Sequence, residues 1–423
     1  DLELLSVGNL GSVQIQRGAS SVNYGSSGIG GVVDLRTKSS IGASANKGSV
    51  SVEVGSNDYR RGSIDYLFST DSYGLSISGS ELNTNNERPN DGYEKTAVTP
   101  RFDYKITEKL YFEVLGQFIE SEKELPGTIA APTLNRLQEN TNYLFSPGIK
   151  YLSDELSAHF FYVRSYSELK DQTGGSSDTI EVESDELNLQ LDYSVNDSVL
   201  LTVGSVYRED DAYDSDIAFA PPPVSYREDF QQIGAYGQIL ARLTEALELR
   251  AGLRYDDYSE FDDKATGGVE GIYNLDALNL SVFAKAATSF APPSALDIAF
   301  DGDPIGTPLQ AEESKSYEIG FRHSALDEKL TWSLLYFHNE IDELLDFVFV
   351  PPFTFDTINV KEAKTDGVEF KLDYQATDSL GFFVGYTYLT AYDESAEQRL
   401  LRRPRHTLQL STSYQFTDAL RAG

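Results

Sequence analysis

Alternation of apolar and polar side chains, renewed segment after segment beyond residue 46, is the feature that most limits what this chain can become. In 246–255, Leu247, Leu249, Ala251, Leu253 and Tyr255 alternate with Glu248, Arg250, Gly252 and Arg254. Leu187, Leu189, Leu191 and Tyr193 alternate with Asn188, Gln190 and Asp192. Leu408, Leu410, Thr412 and Tyr414 alternate with Gln409, Ser411, Ser413 and Gln415, and Trp332, Leu334 and Tyr336 share a face. A period of two lines these side chains along one face of an extended strand, where a helix would scatter them.

The connectors have their own rhythm. Very short turns fall at 107–109, 153–155, 196–198, 244–246, 276–277, 326–328, 377–379 and 417–419, each with turn-forming Asp, Asn, Ser or Thr. Between them lie long polar stretches, read as loops, at 83–95, 122–140, 169–180, 209–228, 290–312 and 342–357. Strands of about 9–13 residues with short turns on one side and long loops on the other have the asymmetry of an outer-membrane β-barrel. A fixed-length blade or short repeat ladder, as in propellers and β-helices, is not found. A β-sandwich accommodates the alternation but not the strand length or the two-sided connectors.

The pattern gives about 18 strands between Gly48 and Phe416, with a nineteenth starting near Ala419, against about 22 in plugged barrels. The reading is therefore all-β: a transmembrane antiparallel barrel with about 18–19 of 22 expected strands. Such a wall is expected not to close, leaving unpaired edges near Ser49–Gly55 and His406–Phe416.

Composition removes other classes. With 67 acidic and 34 basic residues the net charge is −33, unsuited to a nucleic-acid backbone. Cysteine is absent, so no disulfide framework, thiolate metal site or cysteine nucleophile exists. His159, His323, His338 and His406 lack ligand-like spacing, and no catalytic triad, P-loop or zinc signature stands out, so no enzyme is expected. No apolar run of about 18 residues offers a membrane helix, and no signal peptide is visible. The absence of methionine leads us to expect a processed product or an internal fragment. Tyrosine (26) and phenylalanine (23) are abundant at a mean hydropathy of −0.34, which suits aromatic girdles around a wall without a continuous apolar core.

The start of the chain differs. Arg17 to Lys38 packs Gly18, Gly25, Gly28, Gly30 and Gly31 between two short β-like runs. Glycine takes positive φ and permits close backbone approach. These glycines read either as ordinary turns or as the tight corners of a small body enclosed by a polar wall. We take the second, with 1–40 as the C-terminal part of a plug and 46–423 as the barrel.

The motifs resemble those of TonB-dependent outer-membrane receptors. Arg17-Gly18-Ala19-Ser20-Ser21-Val22-Asn23-Tyr24-Gly25 followed by Gly28-Ile29-Gly30-Gly31-Val32-Val33-Asp34-Leu35 looks like the end of that family's plug, and Val13-Gln14-Ile15-Gln16 like the strand before it. Phe290-Ala291-Pro292-Pro293, the run Leu309–Gly320, the run Tyr336–Leu344 and Thr365-Asp366-Gly367-Val368-Glu369 resemble successive barrel landmarks. Leu401-Arg402-Arg403-Pro404-Arg405-His406 is similar to a segment of the cobalamin-receptor branch. The glycine motif alone is weak, but the landmarks run in family order from residue 13 to about 416.

The resemblance implies a Gram-negative outer-membrane receptor, monomeric and surrounded by lipid and lipopolysaccharide. It further implies TonB-energised uptake of cobalamin or a corrinoid, with a ferric siderophore or haem as alternatives; outside the family, a passive channel or adhesin barrel is the alternative. Arg17, Gly18, Tyr24, Gly25, Gly30 and Gly31 are the structural plug residues. The N-terminal plug half with its TonB box and the last barrel strands are expected to belong to a longer parent.

Two loop features are candidates for binding. Acidic runs 209–216 and 256–263 offer hard oxygen ligands for Ca²⁺. The calcium candidates are Asp210, Asp211, Asp214, Asp216 and Asp91, the last in an Asn90-Asp91-Gly92-Tyr93 stretch that resembles a calcium-ordered loop of cobalamin receptors; a merely solvated acidic loop is the simpler reading. No cofactor is otherwise required. Phe347, Phe349, Phe353 and Phe355 flank Pro351-Pro352, and Phe219 and Tyr226 flank Pro221-Pro222-Pro223; such rigid apolar loops either grip a large ligand at a barrel mouth or shield one another.

Overall fold

The computed structural model describes residues 10–19, 21–26, 28–42, 46–174, 176–215, 226–260, 262–294, 297, 309–350, 354–417 and 420–422. The described residues form two sheets: a small antiparallel ribbon of Leu10–Arg17 and Gly31–Thr37, and a closed ring of antiparallel strands beginning at Lys47–Val54. A single turn of helix, Ser21–Tyr24, joins the two ribbon strands.

Seven of the eight short turns lie where the sequence places them, between strands ending at Lys105, Leu152, Asn196, Arg242, Leu275, Ala325 and Thr377 and their successors, and residues 418 and 419 of the eighth lie outside the described residues. Four of them are closed the same way. The hydroxyls of Thr107, Ser153, Thr244 and Thr377 accept the backbone N–H of Leu110, Leu156, Leu247 and Leu380, three residues on, at 3.0–3.1 Å. The side chain thus stands in for a backbone turn partner and fixes where the next strand starts.

Strand length departs from expectation. Strands run to 24 residues, as in Thr354–Thr377, and the described residues of the stretches 169–180 and 342–357 continue hairpin strands where loops were expected. In 169–174 the ladder continues through polar partners: Arg136 pairs with Asp171 on the neighbouring strand at 2.5 Å, and Gln172 donates to Glu139 across the same two strands at 2.8 Å. Cross-strand charge pairs support extended backbone as apolar pairs do, without the hydrophobic signature that marks a strand in sequence.

The ring of strands closes, which corrects the expected gap in part: Leu420–Ala422 pairs back onto His406–Thr417 and joins the ring to Lys47–Val54. The expected edge persists beside it, since Lys47–Val54 shows a residue-by-residue ladder only with Arg60–Ser69, and the joining strand is three residues long. Every residue of Lys47–Val54 is exposed, with Val50, Val52 and Val54 at 76, 76 and 79 %. Apart from that last short strand and the two-residue Gln398–Arg399, the described ring holds eighteen strands.

The two faces of the wall follow the period of two. Along Leu247–Tyr258, Leu253 and Tyr255 point outward, while Arg254 and Asp256 point inward and are buried. A barrel with an apolar outer face and a polar lumen is the inverse of a soluble core, and it suits a lipid surround. No described helix is long and apolar enough to cross a membrane, which says nothing of a wall of strands.

Candidate functional site: the lumenal face and the segment it holds

The N-terminal ribbon lies against the lumenal face and meets it in two places. At its far end, Arg101 Nη1 donates to Thr37 Oγ1 at 2.7 Å, and Asp103 Oδ2 accepts from Ser40 N (2.7 Å) and Ser40 Oγ (2.5 Å). Arg101 and Asp103 are inward neighbours on Tyr93–Lys105, 2.7 Å apart. Behind them Glu113 takes Arg101 (2.8 Å), His159 (2.8 Å) and Lys150 (3.4 Å), so every charge in the group has an opposite within reach. Gly74, on the adjacent strand, makes room: a Cβ there would collide with the carbonyl of Ser40. Charge-assisted bonds to buried groups are the strong kind, because their alternative is an unpaired charge out of water.

At the near end the contact is mostly shape. The helical turn Ser21–Tyr24 sits against the strands spanning 226–291. Gly18 (φ +65°) lies so close that a Cβ would strike Glu318 Oε1 and come within 2.7 Å of Ser316 Oγ. Gly25 (φ +75°) lies over Arg254, with a Cβ reaching 2.9 Å from Nη2, and Gly252 of the wall leaves space for Val22. Ser289, Ser314 and Ser316 are buried here, small side chains where the segment approaches. The polar bonds are fewer: Ser21 Oγ accepts from Phe290 N at 3.4 Å, and Ser26 bonds Tyr258.

The wall charges beneath this end satisfy one another. Arg254 pairs with Asp256 at 2.7 Å, Gln232 donates to the same carboxylate at 2.8 Å, and the guanidinium stacks over Tyr236 at 5.6 Å. Asp256 is 0 % exposed, and these partners supply the hydrogen bonds that water would otherwise make. Lower in the lumen the register sets Arg250 opposite Glu270, Glu270 opposite Lys285, and Lys285 opposite Glu318. This row of alternating charge crosses four strands, with ion pairs of 3.3 Å (Arg250–Glu270) and 3.5 Å (Lys285–Glu318). A cavity of about 420 Å³ separates this row from Ile15, Gln16 and Val22 of the segment.

The sequence candidates are distributed unevenly across this geometry. Gly18 and Gly25 need their glycine for both φ and space, and Gly31 has φ +135°; a Cβ on Gly30 would meet nothing within 4 Å. Asp210 and Asp211 fall on opposite faces of Val199–Asp214 and are taken by Arg208 (2.8 Å) and Arg227 respectively. Asp214 is buried, and the backbone carbonyl of Asp91 accepts from Asn86 at 2.7 Å. Among the described residues no group of three or more acidic or histidine side chains is arranged to hold a metal. Phe353, Asp216, Phe219 and Pro221-Pro222-Pro223 lie outside the described residues, as do the side chains of Arg17, Tyr24, Tyr226, Phe347, Phe349 and Phe355. The Phe347–Phe355 backbone forms a paired hairpin end, Phe347 opposite Thr357 and Phe349 opposite Phe355.

The Arg101–Asp103–Ser40 contact is absent from the sequence reading. Its one sequence signal is a charge pair on the face of Tyr93–Lys105 opposite its apolar residues.

Comparison with known proteins agrees with this architecture. The family description "TonB dependent receptor-like, beta-barrel" matches residues 38–423. The vitamin B12 transporter BtuB of Photobacterium profundum is 24 % identical over 431 residues, covering 98 % of this chain and 68 % of that protein. The ferripyoverdine receptor of Pseudomonas aeruginosa is 28 % identical over 214 residues, 47 % of this chain and 26 % of the receptor. The iron-regulated outer membrane virulence protein of Vibrio cholerae is 29 % identical over 201 residues, and the matched part is 30 % of its length. This chain thus spans about two thirds of the first relative and under a third of the other two. Among solved structures, the ferric enterobactin receptor PfeA of Pseudomonas aeruginosa superposes with a TM-score of 0.82 at 16 % identity, covering 100 % of this chain and 72 % of that one.

Proposed function

This chain belongs to the TonB-dependent receptor family, and on that premise we propose that it forms the wall and the last part of the plug of an outer-membrane importer for cobalamin or a related corrinoid. The observation that carries the reading is the segment fixed to the lumenal face at both ends, through Thr37 and Ser40 and through Gly18 to Ser26. A segment bonded across the lumen obstructs the path of a large solute. Uptake then needs work on that segment, which a periplasmic TonB would supply in the longer receptor. A passive channel would need the segment to lie in the wall or to be absent.

The corrinoid assignment is supported by the extent of the likeness. The match to the B12 transporter runs over nearly the whole chain, whereas the matches to the ferripyoverdine receptor and the virulence protein stop near half of it. A ferric chelate is the alternative ligand. The test is calorimetry of the full-length receptor with cyanocobalamin and with ferric siderophores in parallel. One-to-one cobalamin binding is expected; binding of a ferric chelate alone would reassign the ligand. Steady conductance of the receptor in a planar bilayer without TonB would overturn the importer reading itself.

A further inference from the structure

The cavity beneath the enclosed segment is lined by a second row, and it differs from the first. The register sets Arg322 opposite Ser333 and Ser333 opposite Lys371, and all three side chains line the cavity. Where the row from Arg250 to Glu318 alternates in sign, this one holds no acid. The whole lining carries four basic and three acidic side chains, in a chain whose net charge is −33. Glu369 lines the cavity two residues along from Lys371 and sets an acid near that lysine, so the surplus cation is Arg322. Among the described residues no acid forms an ion pair with Arg322; its guanidinium lies over the ring of Phe283, 4.6 Å from the centroid. Gly320, opposite Phe283, makes room for that ring, which a Cβ would strike. An aromatic laid over a cross-strand glycine stiffens a sheet whatever else it does. Here it also carries a cation, and stacking leaves the guanidinium's fork of N–H donors unspent.

We infer that the row Arg322–Ser333–Lys371 is a binding site for a phosphate group, that of the corrinoid's nucleotide phosphodiester as the cargo leaves the lumen. The cargo rests on the corrinoid reading of the preceding section; the phosphate does not. Three observations favour this occupant. Arg322 and Lys371 stand two strands apart, roughly 10 Å at the backbone, so both long side chains can meet one anion above the Ser333 hydroxyl. A tetrahedral oxyanion offers oxygens to the guanidinium, the ammonium and the hydroxyl together, whereas a planar carboxylate is spent on the guanidinium fork alone. The row also lies near the short turns that follow Ala325 and Thr377, on the side from which a transported solute departs. Ile15, Gln16 and Val22 of the segment line the same cavity, so passing cargo reaches the row only when the segment moves. At about 420 Å³ the cavity suits one group of the cargo with its near substituents.

The test titrates the full receptor in detergent with dimethyl phosphate, a phosphodiester without a corrinoid, and reads binding from phosphorus NMR line width. Inorganic phosphate and acetate serve as competitors. Dimethyl phosphate should bind wild type, and Arg322→Gln should weaken it about ten-fold or more, Lys371→Gln less. Arg322→Lys keeps the charge and loses the fork, so it should fall between wild type and Arg322→Gln. Lys105→Gln removes a cation that is paired with Glu108 outside the cavity, and it should bind as wild type does. Equal binding by wild type and Arg322→Gln would overturn the site, as would an equal loss in Lys105→Gln. Acetate competing as well as inorganic phosphate would overturn the choice of phosphate. Binding of inorganic phosphate without dimethyl phosphate would overturn the cargo as its source. A receptor that takes a ferric chelate and no cobalamin fails the corrinoid reading instead, and the dimethyl phosphate series still decides the site.

Discussion

The enclosed segment is held to the wall by two contacts built on opposite principles. The Thr37–Ser40 end is a latch, in which few bonds, nearly all charge-assisted, reach into a cluster of Arg101, Asp103 and Glu113. The Gly18–Ser26 end is a key, with two glycines at positive φ seated on Ser316, Glu318 and Arg254. A latch is sensitive to loss of one atom and indifferent to added bulk elsewhere. A key is sensitive to one added methyl and indifferent to many deletions. The segment is therefore anchored against two different kinds of perturbation, and the ends can be released independently.

The largest test of that contrast is Asp103→Ala. It removes the acceptor for both Ser40 donors and one partner of Arg101 in a buried setting, so about 3–5 kcal/mol should be lost. Urea unfolding reads the total. Hydrogen exchange should show faster opening of 37–42 with 18–26 unchanged, and equal loosening of both ends would break the comparison. Gly18→Val comes next, at about 1–3 kcal/mol from strained φ and collision with Glu318. Adding Glu318→Ala should recover part of that cost; strict additivity in the double-mutant cycle would show that Gly18 is not seated as described.

Ser40→Ala is smaller, about 1 kcal/mol, since its backbone N–H still reaches Asp103. A loss as large as that of Asp103→Ala would mean the latch depends on the hydroxyl rather than the carboxylate. Thr244→Ala sets the floor of the series. It removes a turn closure remote from the segment and should cost about 0.5–1 kcal/mol, with no change in exchange at either end.

What the sequence disclosed is what is local. The turns at 107–109, 244–246 and 377–379 could be placed because their Ser, Thr and Asp act within three residues. The faces of Leu247–Tyr258 could be assigned because alternation depends on nothing beyond the strand. Gly18 and Gly25 stood out, as positive φ leaves a compositional trace. The strand end beyond 169 was hidden because pairs such as Arg136–Asp171 extend the ladder with residues that read as loop, and the one beyond 342 because Asp342-Glu343 and Pro351-Pro352 read as loop in sequence. The latch was hidden for another reason. Ser40 and Asp103 are 63 residues apart, and a serine in a linker has no pattern that names its partner. The surroundings of Leu253 needed the register itself, since only cross-strand pairing shows that Gly237 and Gly267 flank it.

The hydroxyl-closed turns carry a consequence for descent. Because Thr107, Ser153, Thr244 and Thr377 each complete their reversal with an N–H three residues on, a hairpin brings its own closure wherever it is copied. A gene lengthened or shortened by one such hairpin would keep the inside–outside sense of every strand that follows. The wall is thus a structure in which duplication and deletion are mild events, and strand number is free to drift between lineages while the grammar of each unit persists.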